Sequence, residues 1–145
     1  DGDDLLYVAR AETVRIMSIG LRPGTRLPAY CTSMGRVLLA ALPADTLQAY
    51  LERTTLRPRT DRTVTQPAAL LEVLARARRE GVCLTDQELE IGLRSIAVPV
   101  RNLRGEVIAA LNIGAQAGRV SLQTMQTQWV EPLKQAAQRL GALLS

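Results

Sequence analysis

The residues with the most chemical character sit in Leu27-Pro-Ala-Tyr-Cys-Thr-Ser-Met-Gly-Arg-Val-Leu-Leu-Ala-Ala-Leu-Pro43. A loop runs here into an apolar helix with an unusual first turn. Thr32 or Ser33 is suited to cap it, because a hydroxyl at that point accepts an otherwise unpaired N–H. Met34, Val37, Leu38, Ala41 and Leu42 then recur at helical spacing and make a buried face. Gly35 sits in the first turn at a cost of about 1 kcal/mol of helix propensity. A glycine there serves either the close packing of two elements or the close approach of a ligand to the backbone. The first turn of a helix also carries free N–H donors and a partial positive charge. Ser33, Met34 and Gly35 therefore suit a small anion lying against a helix start.

Other polar residues sit in apolar surroundings. Asn112 lies in an apolar strand whose alternation puts Val107, Ala109, Leu111 and Ile113 on one face. Ile108, Ala110, Asn112 and Gly114 fall on the other. That second face is small and ends in an amide, which leaves room for a ligand or for a bond to a neighbouring loop. Ser95 is the matching polar residue of the preceding strand, either a ligand contact or a satisfied core hydroxyl. Arg94 and Arg36 suit a bidentate grip on a carboxylate, either a ligand's or that of Asp86, Glu88 or Glu90. Those three acids share one loop, where they form a solvated face or accept hydrogen bonds from ligand hydroxyls. Acid–base catalysis would need a nucleophile or metal beside them, and the sequence supplies neither. Cys31 and Cys83 read as small packing residues, with Cys31 close enough to the helix start to touch a ligand.

Composition narrows the classes. The 145 residues fit one domain, and with 47% hydrophobic, 3% aromatic and no Phe the core must be Leu, Val, Ile and Ala. Net charge is +4, yet the arginines are dispersed among acids, and Lys134 is the sole lysine. The densest run, Arg57 to Arg62, is interrupted by Asp61, so a solvated surface is expected rather than a nucleic-acid stripe. Without a histidine, no Ser–His or Cys–His catalytic pair and no His-containing zinc site can be built. No cofactor and no metal is expected. Two cysteines without a CxxC point to free thiols in a cytoplasmic protein. No run of ~18 apolar residues is present, so no membrane span is expected.

The elements that must position these residues follow from periodicity. Leu5 to Arg10 and Thr13 to Ile19 read as strands of a hairpin around Ala11-Glu12, and Gly20 to Pro28 as a loop. After the helix that stops before Pro43, a short helix covers Ala44 to Glu52. Arg53 to Thr65 is a polar surface excursion. Gln66-Pro67 opens a helix with Leu70, Leu71, Leu74 and Ala77 on its apolar face and Gly81 as its stop. Val82 to Thr85 is a short strand and Asp86 to Gly92 an acidic loop. Leu93 to Arg101 and Glu106 to Gly114 are strands joined by a turn at Asn102-Leu-Arg-Gly105. From Ser121 a helix with Leu122, Met125, Trp129, Leu133, Ala136, Leu140 and Leu143 on one face runs to the end, as core or dimer seam. Pro132 should kink or split it. Hairpins at both ends predict an α+β fold, a largely antiparallel sheet with helices packed on it.

Four segments together resemble the effector-binding, C-terminal domain of IclR-type bacterial transcription regulators. They are the stretch from Leu27 to Pro43, Arg15-Ile-Met-Ser18, Asp86-Gln-Glu-Leu-Glu-Ile-Gly-Leu-Arg-Ser-Ile-Ala-Val-Pro-Val100, and Gly105-Glu-Val-Ile-Ala-Ala-Leu-Asn-Ile113. Leu-Pro-Ala-Tyr-Cys-Thr-Ser-Met-Gly-Arg and Asp-Gln-Glu-Leu-Glu are similar to the subfamily that controls aromatic-acid catabolism through the β-ketoadipate pathway. The resemblance covers nearly the whole chain. It implies a GAF/PAS-like domain over 1–145 that senses a small aromatic acid of the protocatechuate or 4-hydroxybenzoate type. It also implies ligand contacts at Ser33, Met34, Gly35, Asp86, Ser95, Asn112 and Gly114, to which position alone adds Cys31, Arg36 and Glu90. The family's winged helix would precede this chain, so promoter DNA is expected to be bound only through that missing domain, by a homodimer or tetramer. A GAF/PAS-like dimerisation module without ligand is the alternative. A hydrolase using Ser33 or Cys31 is opposed by the missing histidine.

Overall fold

A computed structural model describes residues 13–18 and 28–144, with side chains for 28–144. The predicted strand at Leu5 to Arg10 and most of the loop up to Pro28 lie outside the described residues. β1 is Thr13–Ser18. A 3-10 turn at Ala29–Cys31 leads into α1, Ser33–Ala40, followed by α2, Ala44–Arg53. α3 is Pro67–Glu80, β2 Cys83–Asp86, β3 Leu93–Arg101 and β4 Val107–Gln116. The last helix begins with α4, Leu122–Thr124, passes through a π-helical turn at Met125–Trp129 and continues as α5, Val130–Leu144.

The strands form one antiparallel sheet in the order β1-β4-β3-β2. α1 packs with α3 on one face and α5 on the other, so the α+β expectation holds as three layers. α1 is buried along its whole length. Its neighbour α2, with no buried residue, shows only an edge to the core. Gly81 stops α3 in the left-handed conformation at φ 68°, where a glycine avoids the Cβ clash. Lys134 Nζ then donates to the Glu80 carbonyl at 2.9 Å, joining the end of α3 to α5.

Three details depart from simple periodicity. A bulge between Val100 and Arg101 leaves Val107 packed against the α1 cluster and Ile108 against the α5 cluster, the reverse of strict alternation. Leu71 and Leu143 are exposed rather than on the buried faces of their helices. The interruption expected at Pro132 takes the form of the π turn, which accommodates a residue with no N–H and a crowded ring.

Candidate functional site

The two faces of the sheet differ in kind. Toward α5 it presents Ile96, Val98, Val100, Leu111 and Ile113, all fully packed. Toward α1 it presents small or polar residues: Cys83 and Thr85 on β2, Ser95 and Ala97 on β3, Ala110, Asn112 and Gly114 on β4. The register aligns them, pairing Thr85 with Ser95, Ser95 with Gly114, and Ala97 with Asn112. On β1, Arg15 holds the register position opposite Asn112 and Thr13 that opposite Gly114.

The start of α1 faces this surface. Thr32 is the cap; its Oγ1 accepts the Gly35 N–H at 3.1 Å and donates to the Pro28 carbonyl at 2.9 Å. The first helical bond runs from the Arg36 N–H to the Thr32 carbonyl. The Ser33 and Met34 amides therefore have no acceptor from within the helix. Ser33 Oγ lies 2.7 Å from Ser95 Oγ, which lies 2.7 Å from Thr85 Oγ1, a chain of three buried hydroxyls. Asn112 is 9% exposed and its Oδ1 has no hydrogen-bond partner among the described residues. A buried amide oxygen without a donor is uncommon in folded proteins, where such groups are otherwise paired.

Gly35 is placed by packing. A Cβ there would stand 2.3 Å from Ala29 Cα and 2.5 Å from its carbonyl oxygen, so only glycine lets the 3-10 turn fold back on α1. Its N–H is already taken by the cap. Arg36, 1% exposed, turns away into an ion pair. Its guanidinium donates to both Glu88 oxygens, at 2.8 and 2.5 Å, and through Nε to the Tyr30 carbonyl at 2.7 Å. Burial works against its charge, and the hydrogen bond and opposite charge of Glu88 outweigh that and hold its pKa above the usual value. The same glutamate accepts the Val64 N–H, and Thr63 Oγ1 donates to its carbonyl, so the segment 54–66 is tied to the acidic loop.

The acids predicted as ligand acceptors lie away from this face. Asp86 alternates with Thr85 and falls on the α5 side of the sheet. There Arg94 Nε donates to it at 2.7 Å and Arg62 at 3.0 Å. Burial raises its pKa, but the bonds from Arg94 and Gln87 and the charges of Arg94 and Arg62 leave it lowered. Arg94 thus takes its structural alternative, also donating to the carbonyls of Ala117 and Val120. Glu90 is exposed on the loop. Cys31 is fully buried in the core beneath α1, and burial pushes its thiol pKa up. Burial pushes the Cys83 thiol to about 11. Both therefore stay protonated at neutral pH, the form that is a poor nucleophile. Of the predicted site residues, the structure brings together Ser33, Met34, Ser95, Asn112 and Gly114. It adds Thr85, which the β2–β3 register pairs with Ser95 and which the sequence alone does not single out from Asp86. Among the described residues no cluster of three or more His, Cys, Asp or Glu could hold a metal, and no helix is long and apolar enough to cross a membrane.

A family model described as bacterial transcriptional regulator IclR C-terminal matches residues 1–142. The chain belongs to the IclR family. Among IclR regulators it is 49% identical over 140 residues to the Pca regulon regulatory protein of Pseudomonas putida, covering 96% of this chain and 48% of that protein. It is 37% identical over 138 residues to the p-hydroxybenzoate hydroxylase transcriptional activator of Acinetobacter baylyi, covering 95% of this chain and 51% of that protein. The chain thus spans about half the length of these curated relatives. Its fold is similar to the crystal structure of a double mutant of the PobR transcription factor inducer-binding domain from Acinetobacter, in complex with 3-hydroxybenzoic acid. That similarity has a TM-score of 0.88 at 33% identity, over 97% of this chain and 93% of that one. The C-terminal domain of the E. coli transcriptional regulator KdgR superposes with a TM-score of 0.84 at 34% identity, over 96% and 90% of the two chains.

Proposed function

We propose that residues 1–145 form the ligand-sensing domain of a transcription regulator, and that its ligand is a small aromatic carboxylate of the hydroxybenzoate type. The ligand would lie between the first turn of α1 and the small face of β3 and β4. Its carboxylate would be received by the Ser33 and Met34 amides, which have no acceptor within the helix. The observation that carries this reading is the buried Asn112 Oδ1, without a donor among the described residues, on a face otherwise lined by alanine, glycine and hydroxyls. The family and the 3-hydroxybenzoic acid in the PobR complex favour the same chemistry. In the longer protein, a winged helix N-terminal to this domain would hold promoter DNA. A homodimer or tetramer in the cytoplasm would pass ligand occupancy to it, controlling genes of aromatic-acid catabolism. Such coupling requires the ligand to bind the two arrangements of the oligomer unequally.

Thermal melting of this chain with 3- or 4-hydroxybenzoate tests the binding step. Ligand at 100 times its Kd should stabilise the domain by about 2.7 kcal/mol. No shift at millimolar ligand would refute it. Gel-shift titration of the full-length protein on its operator, with and without ligand, tests the coupling.

A further inference from the structure

The three hydroxyls of Ser33, Ser95 and Thr85 share two hydrogen bonds. Each hydroxyl brings one proton, and two bonds use two. One proton is left over whichever way the chain runs. Ser33, Ser95 and Thr85 are 0%, 7% and 6% exposed, so bulk water is not at hand to take it. Asn112 Oδ1 has the opposite shortage, an acceptor with no donor among the described residues.

These two demands are neighbours. Ser95 pairs with Gly114 and Ala97 with Asn112, so Ser95 and Asn112 are diagonal partners on one face of the β3–β4 ladder. Such partners' backbones stand roughly 7–8 Å apart. A single oxygen with a bond of about 2.8 Å to each side spans about 5.6 Å, so it joins them with the Ser95 hydroxyl and the Asn112 amide extended toward each other. A group seated between them must accept one proton and donate another. An ionised carboxylate only accepts and an ammonium only donates, whereas a hydroxyl, of a ligand or of the water it displaces, does both.

We propose that the group held between Asn112 and the Ser33–Ser95–Thr85 chain is a ligand hydroxyl, which donates to Asn112 Oδ1 and accepts the chain's spare proton. This rests on the reading of an aromatic acid as ligand. It makes Asn112 the residue that separates hydroxylated acids from plain ones, and it directs the carboxylate to the other end of the site. An aromatic acid lacking the hydroxyl leaves both buried groups unpaired, and sites built around a hydroxyl reject such analogues strongly.

Calorimetry with four probes tests it: 4-hydroxybenzoate, 4-fluorobenzoate, benzoate and phenol, with the 3-substituted isomers alongside. Fluorine approaches a hydroxyl in size but cannot donate. The protein should bind a hydroxybenzoate at least about tenfold tighter than its fluoro analogue. Asn112→Leu should shrink that preference to less than about threefold, because a hydroxyl then meets no acceptor. Ser95→Ala, which removes the middle of the hydroxyl chain, should narrow the same gap and serves if Asn112→Leu does not fold. Equal affinity for hydroxy and fluoro acids would overturn the inference while leaving the aromatic-acid reading intact. Phenol bound through Asn112 as tightly as 4-hydroxybenzoate would keep the hydroxyl subsite and refute the carboxylate reading. Binding of none of the probes would refute both.

Discussion

The two faces of this sheet come from the same strands, yet they are built to different ends. The α5 face is closed by branched aliphatic side chains from both sides, Ile96, Val98, Leu111 and Ile113 against Met125 and Leu133. The α1 face opposes a buried helix start with alanines, a glycine, hydroxyls and an amide whose oxygen has no partner among the described residues. A protein interior normally fills space and pairs its polar groups. The first face obeys both rules. The second leaves a polar group unsatisfied, which is where a ligand has something to gain.

That contrast can be broken by substitution. The largest effect is expected from Arg36→Leu, which strands the Glu88 carboxylate beneath α1 and should cost about 3–5 kcal/mol in denaturant unfolding. Next, Leu111→Ala on the α5 face should cost about 2–5 kcal/mol through the cavity it leaves, with hydroxybenzoate affinity unchanged. Gly35→Ala forces a Cβ into the Ala29 backbone and should cost about 1–3 kcal/mol as overpacking, weakening ligand only as far as the helix start is displaced. If Gly35→Ala instead melted normally and abolished binding, glycine would be making room for ligand rather than for the 3-10 turn.

Smaller effects sharpen the comparison. Asp86 lies on the α5 side with its pKa lowered in the folded state. A depressed carboxylate stabilises the fold above its unfolded pKa of about 3.9, and that contribution is lost as pH falls from there through the folded value. Asp86→Asn should therefore flatten the acid limb of the stability profile and leave ligand binding at neutral pH as it was. Loss of binding would return Asp86 to the site. Leu71→Ala, on the exposed side of α3, should change stability by less than about 0.5 kcal/mol.

The sequence discloses the elements well because their signals are local: Thr32 as a cap, Pro67 at a helix start, Gly81 at a stop, and Asn102 to Gly105 as a turn. It discloses part of the site for the same reason, since Ser33 and Met34 follow a cap and Asn112 interrupts an apolar run. What it hides depends on one residue of parity. Thr85 faces α1 and Asp86 does not, yet nothing short of the β2–β3 register tells them apart. The bulge near Val100 exchanges Val107 and Ile108 between faces, and a bulge leaves no mark in an apolar strand. Gly35 shows in the sequence as a glycine with a purpose. Which purpose depends on Ala29, brought close by a turn that no periodicity announces.

The most direct test is a crystal structure of this chain grown with 4-hydroxybenzoate. The account predicts density for the ring between the first turn of α1 and the β3–β4 ladder, with the hydroxyl within hydrogen-bond distance of Asn112 Oδ1 and the carboxylate at the Ser33 and Met34 amides. Ligand elsewhere would contradict it, for example in the cavity of about 580 Å³ at the β2 edge lined by Val73, Arg76, Cys83, Gln126 and Val130. So would a ring bound at α1 with its carboxylate on Asn112 Oδ1.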